Sequence, residues 1–305
     1  VRALSMEAMT VAEEGARAEG LKLIDKVLPK KPMAILPHIV KGRILNSMDD
    51  SKRAQIEFEI VVKVLQKKNF LKGFKAKSHC GLAAAYIGQG RLREALSELD
   101  EAINLFPKDA EAMHLKARIH DEIGDNKNAV RFYTMANVIE EKAADMWYVK
   151  GITGLLKGNL EAAQSSLKRA LYIEPTNSSY LSTLAKVLNK KGDVDQAVKY
   201  ANKALELSPK SYKAWKVKGD ILESIGSTNR AIEAYEKAVV HYPYSKKLLK
   251  KIYEYHLGNN NIDAAYQMLD KLIELEPENP EYRMRKLMNS VSDGSYEQVI
   301  NDLND

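Results

Sequence analysis

A compact fold of 305 residues needs one large domain or two smaller ones. With 45% apolar, 29% charged and only 7% aromatic residues, 16 Gly and 9 Pro, the composition suits a soluble helical protein. The net charge is +6; the absence of any run of eighteen apolar residues excludes a membrane-spanning helix, and the single Cys80 excludes a disulfide framework. The chain opens on VRALSMEAMT and closes on VINDLND inside a helical pattern, so it reads as a piece of a longer protein. That reading leaves the compartment open and gives room for a targeting segment, an anchor or a catalytic domain elsewhere.

Taken in chain order, the sequence divides into units of 34 residues. Residues 1–34 carry Leu4, Ala8, Gly15, Ile24, Val27 and Pro32, with Gly20 where later units have Ala. Residues 35–68 carry Gly42, Leu45, Ala54, Phe58 and Val61, and seven extra residues, 69–75, follow. Six units then run in phase at 76–109, 110–143, 144–177, 178–211, 212–245 and 246–279, and a partial one fills 280–305. Their eighth positions are Ala83, Ala117, Gly151, Ala185, Gly219 and Tyr253. Their twentieth are Ala95, Ala129, Ala163, Ala197, Ala231 and Ala265, without exception. Pro107, Pro175, Pro209, Pro243 and Pro277 recur at the thirty-second, with Glu141 in the one gap.

Each column has a physical reading. Two helices approach closely only where small side chains meet, which accounts for positions eight and twenty. Gly90, Gly124, Gly158, Gly192 and Gly226 end the first helix of a unit, because Gly tolerates the left-handed backbone that helix ends require. Proline then closes the second helix. The pattern resembles the tetratricopeptide repeat family in its 34-residue helix–turn–helix unit. The resemblance covers nearly the whole chain and implies an all-α, right-handed superhelical solenoid, 1–305, built as a single array.

The sequence contains no HExxH, CxxC, GxxxxGK[ST] or GxSxG motif, so no catalytic, metal or cofactor site is expected. His114, Arg118 and Asp121 share one helical face, but that spacing occurs on any amphipathic helix and outweighs an acid–base reading. The family resemblance places positions 2, 5, 9 and 12 of each first helix on a concave groove. Carried onto this chain, these give Arg118 in the fourth unit and Tyr148, Ile152 and Leu155 in the fifth. The later units give Lys186, Asn189, Lys213, Lys216, Asp220, Lys247 and Lys250. Tyr148, Ile152 and Leu155 read as an open apolar strip, because Trp147, Gly151 and Gly154 already fill the packing positions.

Charge is uneven along the chain. From Ser178 to Leu257 there are fifteen Lys or Arg and eight Asp or Glu, more than the whole net charge. The expected function is a non-enzymatic scaffold that binds protein or peptide partners in its groove, acidic ones at the basic end. The alternative is a non-catalytic arm of a larger envelope, secretion or exopolysaccharide-export protein, or of a glycosyltransferase. Nucleic-acid binding is disfavoured, because positions 2, 5 and 9 vary without a code. The partial last unit, with Val299, Ile300 and Leu303, is expected to support weak self-association or to fray.

Overall fold

The computed structural model describes residues 2–66, 71–140 and 143–292, the side chains of 287 and 289–292 excepted. Among these residues there are seventeen α-helices and no strand. They form hairpins at the expected spacing: α1 (Arg2–Glu13) with α2 (Arg17–Val27), α3 (Ile35–Ser47) with α4 (Ser51–Leu65), and α5 (Lys72–Gly88) with α6 (Leu92–Leu105). Next come α7 (Ala110–Glu122) with α8 (Asn126–Ile139), α9 (Ala143–Leu156) with α10 (Leu160–Ile173), and α11 (Ser178–Lys191) with α12 (Val194–Leu207). The last are α13 (Tyr212–Ser224) with α14 (Thr228–His241), α15 (Lys246–Gly258) with α16 (Ile262–Leu275), and a final α17 (Pro280–Ser292). The inserted segment lengthens a helix: α5 starts at Lys72 and runs 17 residues, against 13 to 15 for α3, α4 and α7 to α17. Val299, Ile300 and Leu303 lie outside the described residues.

The chain divides into two compact units, Val1–Tyr180 and Leu181–Asp305. In the first, each hairpin packs on the next through α3 against α5, α4 against α5, α6 against α7 and α8 against α9. In the second, α12 packs on α13, α14 on α15 and α16 on α17. Contacts therefore run between sequence neighbours, as in a helical repeat array.

Within the hairpins, small side chains of one helix lie against larger ones of the other. The alanines at the twentieth position, Ala54 through Ala265, are all buried. Where the eighth position is glycine, a large residue faces it from the second helix. A methyl on Gly219 would lie 2.3 Å from the Tyr235 ring, one on Gly42 2.7 Å from Phe58, and one on Gly151 2.7 Å from Leu167. Where the eighth position is alanine, the residue sixteen places on is Leu99 after Ala83, Tyr133 after Ala117 and Ala201 after Ala185, and all are buried.

The turn inside every hairpin has one left-handed residue. Gly15, Gly90, Gly124, Gly158, Gly192 and Gly226 have φ between 73° and 102°. In the two remaining units the same position is taken by Asp49 (φ 60°) and Asn260 (φ 56°), residue types that visit this region with less strain than others. In four hairpins the second helix then starts on a capping side chain: Asp50, Asp125, Asn159 and Asp193 each accept a hydrogen bond from the backbone N–H three residues on.

Two hairpins of the first unit carry a histidine where Trp147 and Trp215 stand in later ones, and each histidine meets a glutamate nineteen residues downstream. His79 Nδ1 lies 2.6 Å from Glu98. His38 Nδ1 lies 2.5 Å from Glu57 Oε2, while its Nε2 lies 2.7 Å from the carbonyl oxygen of Pro32. With an acceptor at each ring nitrogen, the imidazolium, which donates from both, is the form these contacts favour. The Glu57 hydrogen bond holds His38 above its usual pKa, against the opposing effect of burial. Burial would raise Glu57 in turn, but His38 and Lys41 outweigh it and hold the carboxyl below its usual range. Lys41 bridges Asp25 at 2.9 Å and Glu57 at 3.2 Å, which ties α2, α3 and α4 together.

Two outcomes follow from these features. Gly226 has open space around the missing side chain, so Gly226→Ala should lower stability through the backbone alone, by about 1–2 kcal/mol. Gly226→Asn should lower it less; urea titrations giving equal losses would contradict this account. The second concerns pH. His38 is raised and Glu57 lowered, so the pair stabilises fully between roughly pH 4.3 and 6.5. It weakens as pH climbs through the raised His38 value or drops through the lowered Glu57 value. The stability gap between the native protein and His38→Gln should be widest near pH 5.5 and shrink toward pH 8.5; a constant gap would reduce His38 to a packing residue.

Candidate partner-binding surface

The strip expected to stand open in the fifth repeat is closed. Tyr148 and Ile152 are 0% exposed and Leu155 only 9%. Tyr148 donates a hydrogen bond to Asp121 Oδ1 at 2.6 Å, and Ser179 bonds the other oxygen of the same carboxylate. Tyr133 meets the Tyr148 ring edge-on at 5.8 Å, and Tyr180 lies against it at 4.4 Å while its hydroxyl bonds Asp145. Residues from α7, α8 and the first turn of α11 therefore roof the stripe. The helical phase of these residues was legible, but nothing in a single helix reveals what covers it. Trp147 is only half-buried, with the Lys150 and Arg169 cations each 4.3 Å from its ring centre. Arg118 is exposed on α7.

The possible acid–base face of α7 does not form. His114 and Asp121 are buried, Arg118 points to solvent, and the Asp121 carboxylate is engaged by Tyr148 and Ser179. Cys80 is buried, and burial followed by the charges of Asp109 and Glu111 pushes its thiol well above the usual range. It is a packed thiol, not a nucleophile. Among the described residues no group of three His, Cys, Asp or Glu could hold a metal, and no helix is long and apolar enough to cross a membrane.

The second unit brings the remaining candidates together. Lys186 on α11 is half-buried and faces Lys213, Lys216 and Asp220 of α13, with Lys190 one turn along its own helix. Burial, then Lys216 and Lys213, push its ammonium down to about 8. Lys213 is itself only 7% exposed. Lys216 reaches Asp220 Oδ2 at 3.0 Å, and the Tyr235 hydroxyl donates to Asp220 Oδ1 at 2.9 Å. Asn189 donates to the Asp220 carbonyl oxygen at 3.5 Å and accepts from the Ser224 hydroxyl at 2.8 Å. Farther along the array, Lys247 and Lys250 are exposed on α15, and Lys251 pairs with Glu223 at 2.5 Å. The sequence pattern singles out neither of two further participants: Lys190, exposed on α11, adds to the field at Lys186, and Tyr235 fixes Asp220.

A repeat of small residues, left-handed turns and stacked helical hairpins defines a class of interaction modules. Sequence profiles of the tetratricopeptide repeat match residues 80–141, 144–177 and 183–246, together more than half of the chain, which belongs to the tetratricopeptide repeat family. It is similar to TPR repeat-containing protein MJ1428 of Methanocaldococcus jannaschii, 26% identical over 55% of this chain and 30% of that protein. BBSome complex member BBS4 of Bos taurus is 27% identical over 40% of this chain and 24% of that protein. The matched stretches thus span less than half the length of these relatives. Among solved structures, the APC/C hetero-tetramer Cut9–Hcn1 superposes with a TM-score of 0.54 at 16% identity, covering 92% of this chain and 54% of that one. A tetratricopeptide repeat protein from Parabacteroides merdae gives 0.50 at 15% identity, covering 82% and 96%. Both show the fold alone.

The buried carboxylate gives a direct test. Tyr148→Phe removes the hydroxyl from Asp121 in the interior and should destabilise the first unit by about 1–3 kcal/mol. An unchanged denaturation midpoint would mean that Asp121 has no need of that donor.

Proposed function

We propose that this chain is a protein-interaction scaffold whose second unit docks an acidic segment of a partner across the first helices α11, α13 and α15. The observation that carries this reading is Lys186: a half-buried ammonium with Lys213 and Lys216 against it, pushed down to about 8 by burial and by their charges. A protonated amine in such a place raises the energy of the free protein, and an incoming carboxylate lowers it again. Lys247 and Lys250 extend the positive face for a ligand in extended conformation. The closed strip at Tyr148 and Ile152 leaves that part of the first unit to structure. Family members of this kind are typically interaction scaffolds, and two of the similar proteins are named as components of multiprotein complexes.

A fluorescent glutamate decamer serves as the probe. Its association with the native chain should slow as salt is raised, since the attraction acts at a distance. Combined Lys213→Glu and Lys216→Glu should slow association at least tenfold at low salt, the usual scale of electrostatic steering. Lys199→Glu with Lys203→Glu, on the exposed side of α12, should have little effect. Equal losses from the two pairs would replace a defined site with diffuse polyanion attraction.

A further inference from the structure

We infer that the outer face of the α9–α10 hairpin, in the first unit, docks an acidic amphipathic segment of a partner protein. This site is separate from the lysines of the second unit. The buried side of α9 carries Tyr148, Gly151, Ile152 and Leu155, which leaves Met146, Trp147 and Lys150 on its outer side. Trp147 is half-buried, and the cations of Lys150 and Arg169, one from each helix, both lie 4.3 Å from its ring centre. Those distances make the surface continuous. Lys150 follows Met146 by one turn of α9, and Arg169 precedes Tyr172 and Ile173 by one turn of α10, so each set lies side by side on its helix. Tyr172 is 89% exposed, Ile173 46% and Met146 36%. At that exposure Tyr172 contributes almost nothing to the core. The composition is that of an interface centre: Trp, Tyr and Arg carry much of the binding energy in protein contacts, and Met is enriched there.

Charge selects the occupant. Among the described residues neither Lys150 nor Arg169 is paired with a carboxylate; both rest on the indole, and Lys168 stands one turn before Tyr172. The carboxylates around the face are engaged or set apart. Asp145 accepts from the Tyr180 hydroxyl and lies 3.2 Å from His114, Glu174 accepts from Asn177 at 2.9 Å, and Glu161 is two turns before Arg169. Three cations thus flank the apolar residues, with Glu174 the one carboxylate beside them in the chain. A segment with large apolar residues on one stripe and Asp or Glu along its border satisfies both features at once. The seventh hairpin repeats the arrangement at the same register. Lys237 and Lys218 lie 4.7 and 5.5 Å from the Trp215 ring centre, and Val240, 73% exposed, stands where Tyr172 does. The fifth hairpin, with tyrosine and isoleucine there, offers the larger anchor.

The test uses the full chain with Trp215→Phe, which leaves Trp147 as the only tryptophan. Three peptides of one length are the probes: a glutamate–leucine sequence of helical period, the same with glutamine for glutamate, and the same with serine for leucine. The first should move the Trp147 emission to shorter wavelength as the ring is covered. It should also bind about tenfold more tightly than either of the others, the scale of losing one strong contact. Tyr172→Ser, at a position too exposed to disturb the fold, should weaken that peptide about tenfold. Lys150→Gln with Arg169→Gln should remove its advantage over the glutamine peptide. Lys213→Glu with Lys216→Glu, in the second unit, should leave the shift unchanged. Equal binding of the glutamate and glutamine peptides, or an unmoved Trp147 emission at millimolar peptide, would overturn the inference. Loss of the shift in Lys213→Glu with Lys216→Glu would assign the peptide to the second unit and overturn it as well. A dimer in sedimentation without peptide, dissociated by Tyr172→Ser, would make this face a contact between copies of the chain and overturn docking of an acidic segment.

Discussion

Two helices of a hairpin can lie close together only if, at the crossing, one of them gives up its side chain. The whole fold depends on this constraint, met by an alanine at the twentieth position (Gly20 in the first hairpin) and, except at Tyr253, by a glycine or alanine at the eighth. Once the crossing is fixed, the residue opposite must restore the lost volume. Tyr235 does so over Gly219, Phe58 over Gly42 and Leu167 over Gly151. Spacing, handedness at the turn and the facing of first helices follow from repeating that contact. A change of size at one crossing is felt in the neighbouring hairpin, because there is no larger core to absorb it.

This hierarchy explains which features the sequence disclosed. Small-residue columns and turn glycines are chemical necessities, so they stand out in one sequence at a fixed period. The turn at Asp49 and Asn260 was harder to see, since those residues satisfy the same backbone by tolerance and not by absence of a side chain. Tyr148, Ile152 and Leu155 show the opposite failure. Helical phase placed them on one face, but burial depends on what neighbouring elements contribute, here Tyr133, Asp121 and Tyr180 at separations of 15 to 32 residues. The lysine node was legible as a charge imbalance. Its depth was not, because burial of Lys186 and Lys213 arises only when α11 and α13 lie side by side.

The two units therefore use comparable helical faces in different ways. In the first, the carboxylates of Asp121 and Asp145 are engaged internally by the hydroxyls of Tyr148, Ser179 and Tyr180. In the second, lysines from α11 and α13 lie about Asp220, with Glu223 on the same Tyr235 hydroxyl. A half-buried lysine lowers the stability of the helices that carry it. A repeat array can bear such a local loss, since every hairpin draws support from its neighbours through contacts that do not involve the site.

The shared carboxylate of Asp121 has a mechanical consequence. Asp121 belongs to the hairpin of α7 and α8, Tyr148 to that of α9 and α10, and Ser179 opens the next one. A stack held only by adjacent contacts can come apart one hairpin at a time, each opening set by its own interface. Here one buried anion is gripped by three successive hairpins, so the middle one cannot leave without stranding a charge between the other two. This stretch should open as one cooperative block, stiffer to local fluctuation than hairpins linked through apolar contact alone, and it gives the first unit a fixed segment in an otherwise gradually yielding spring.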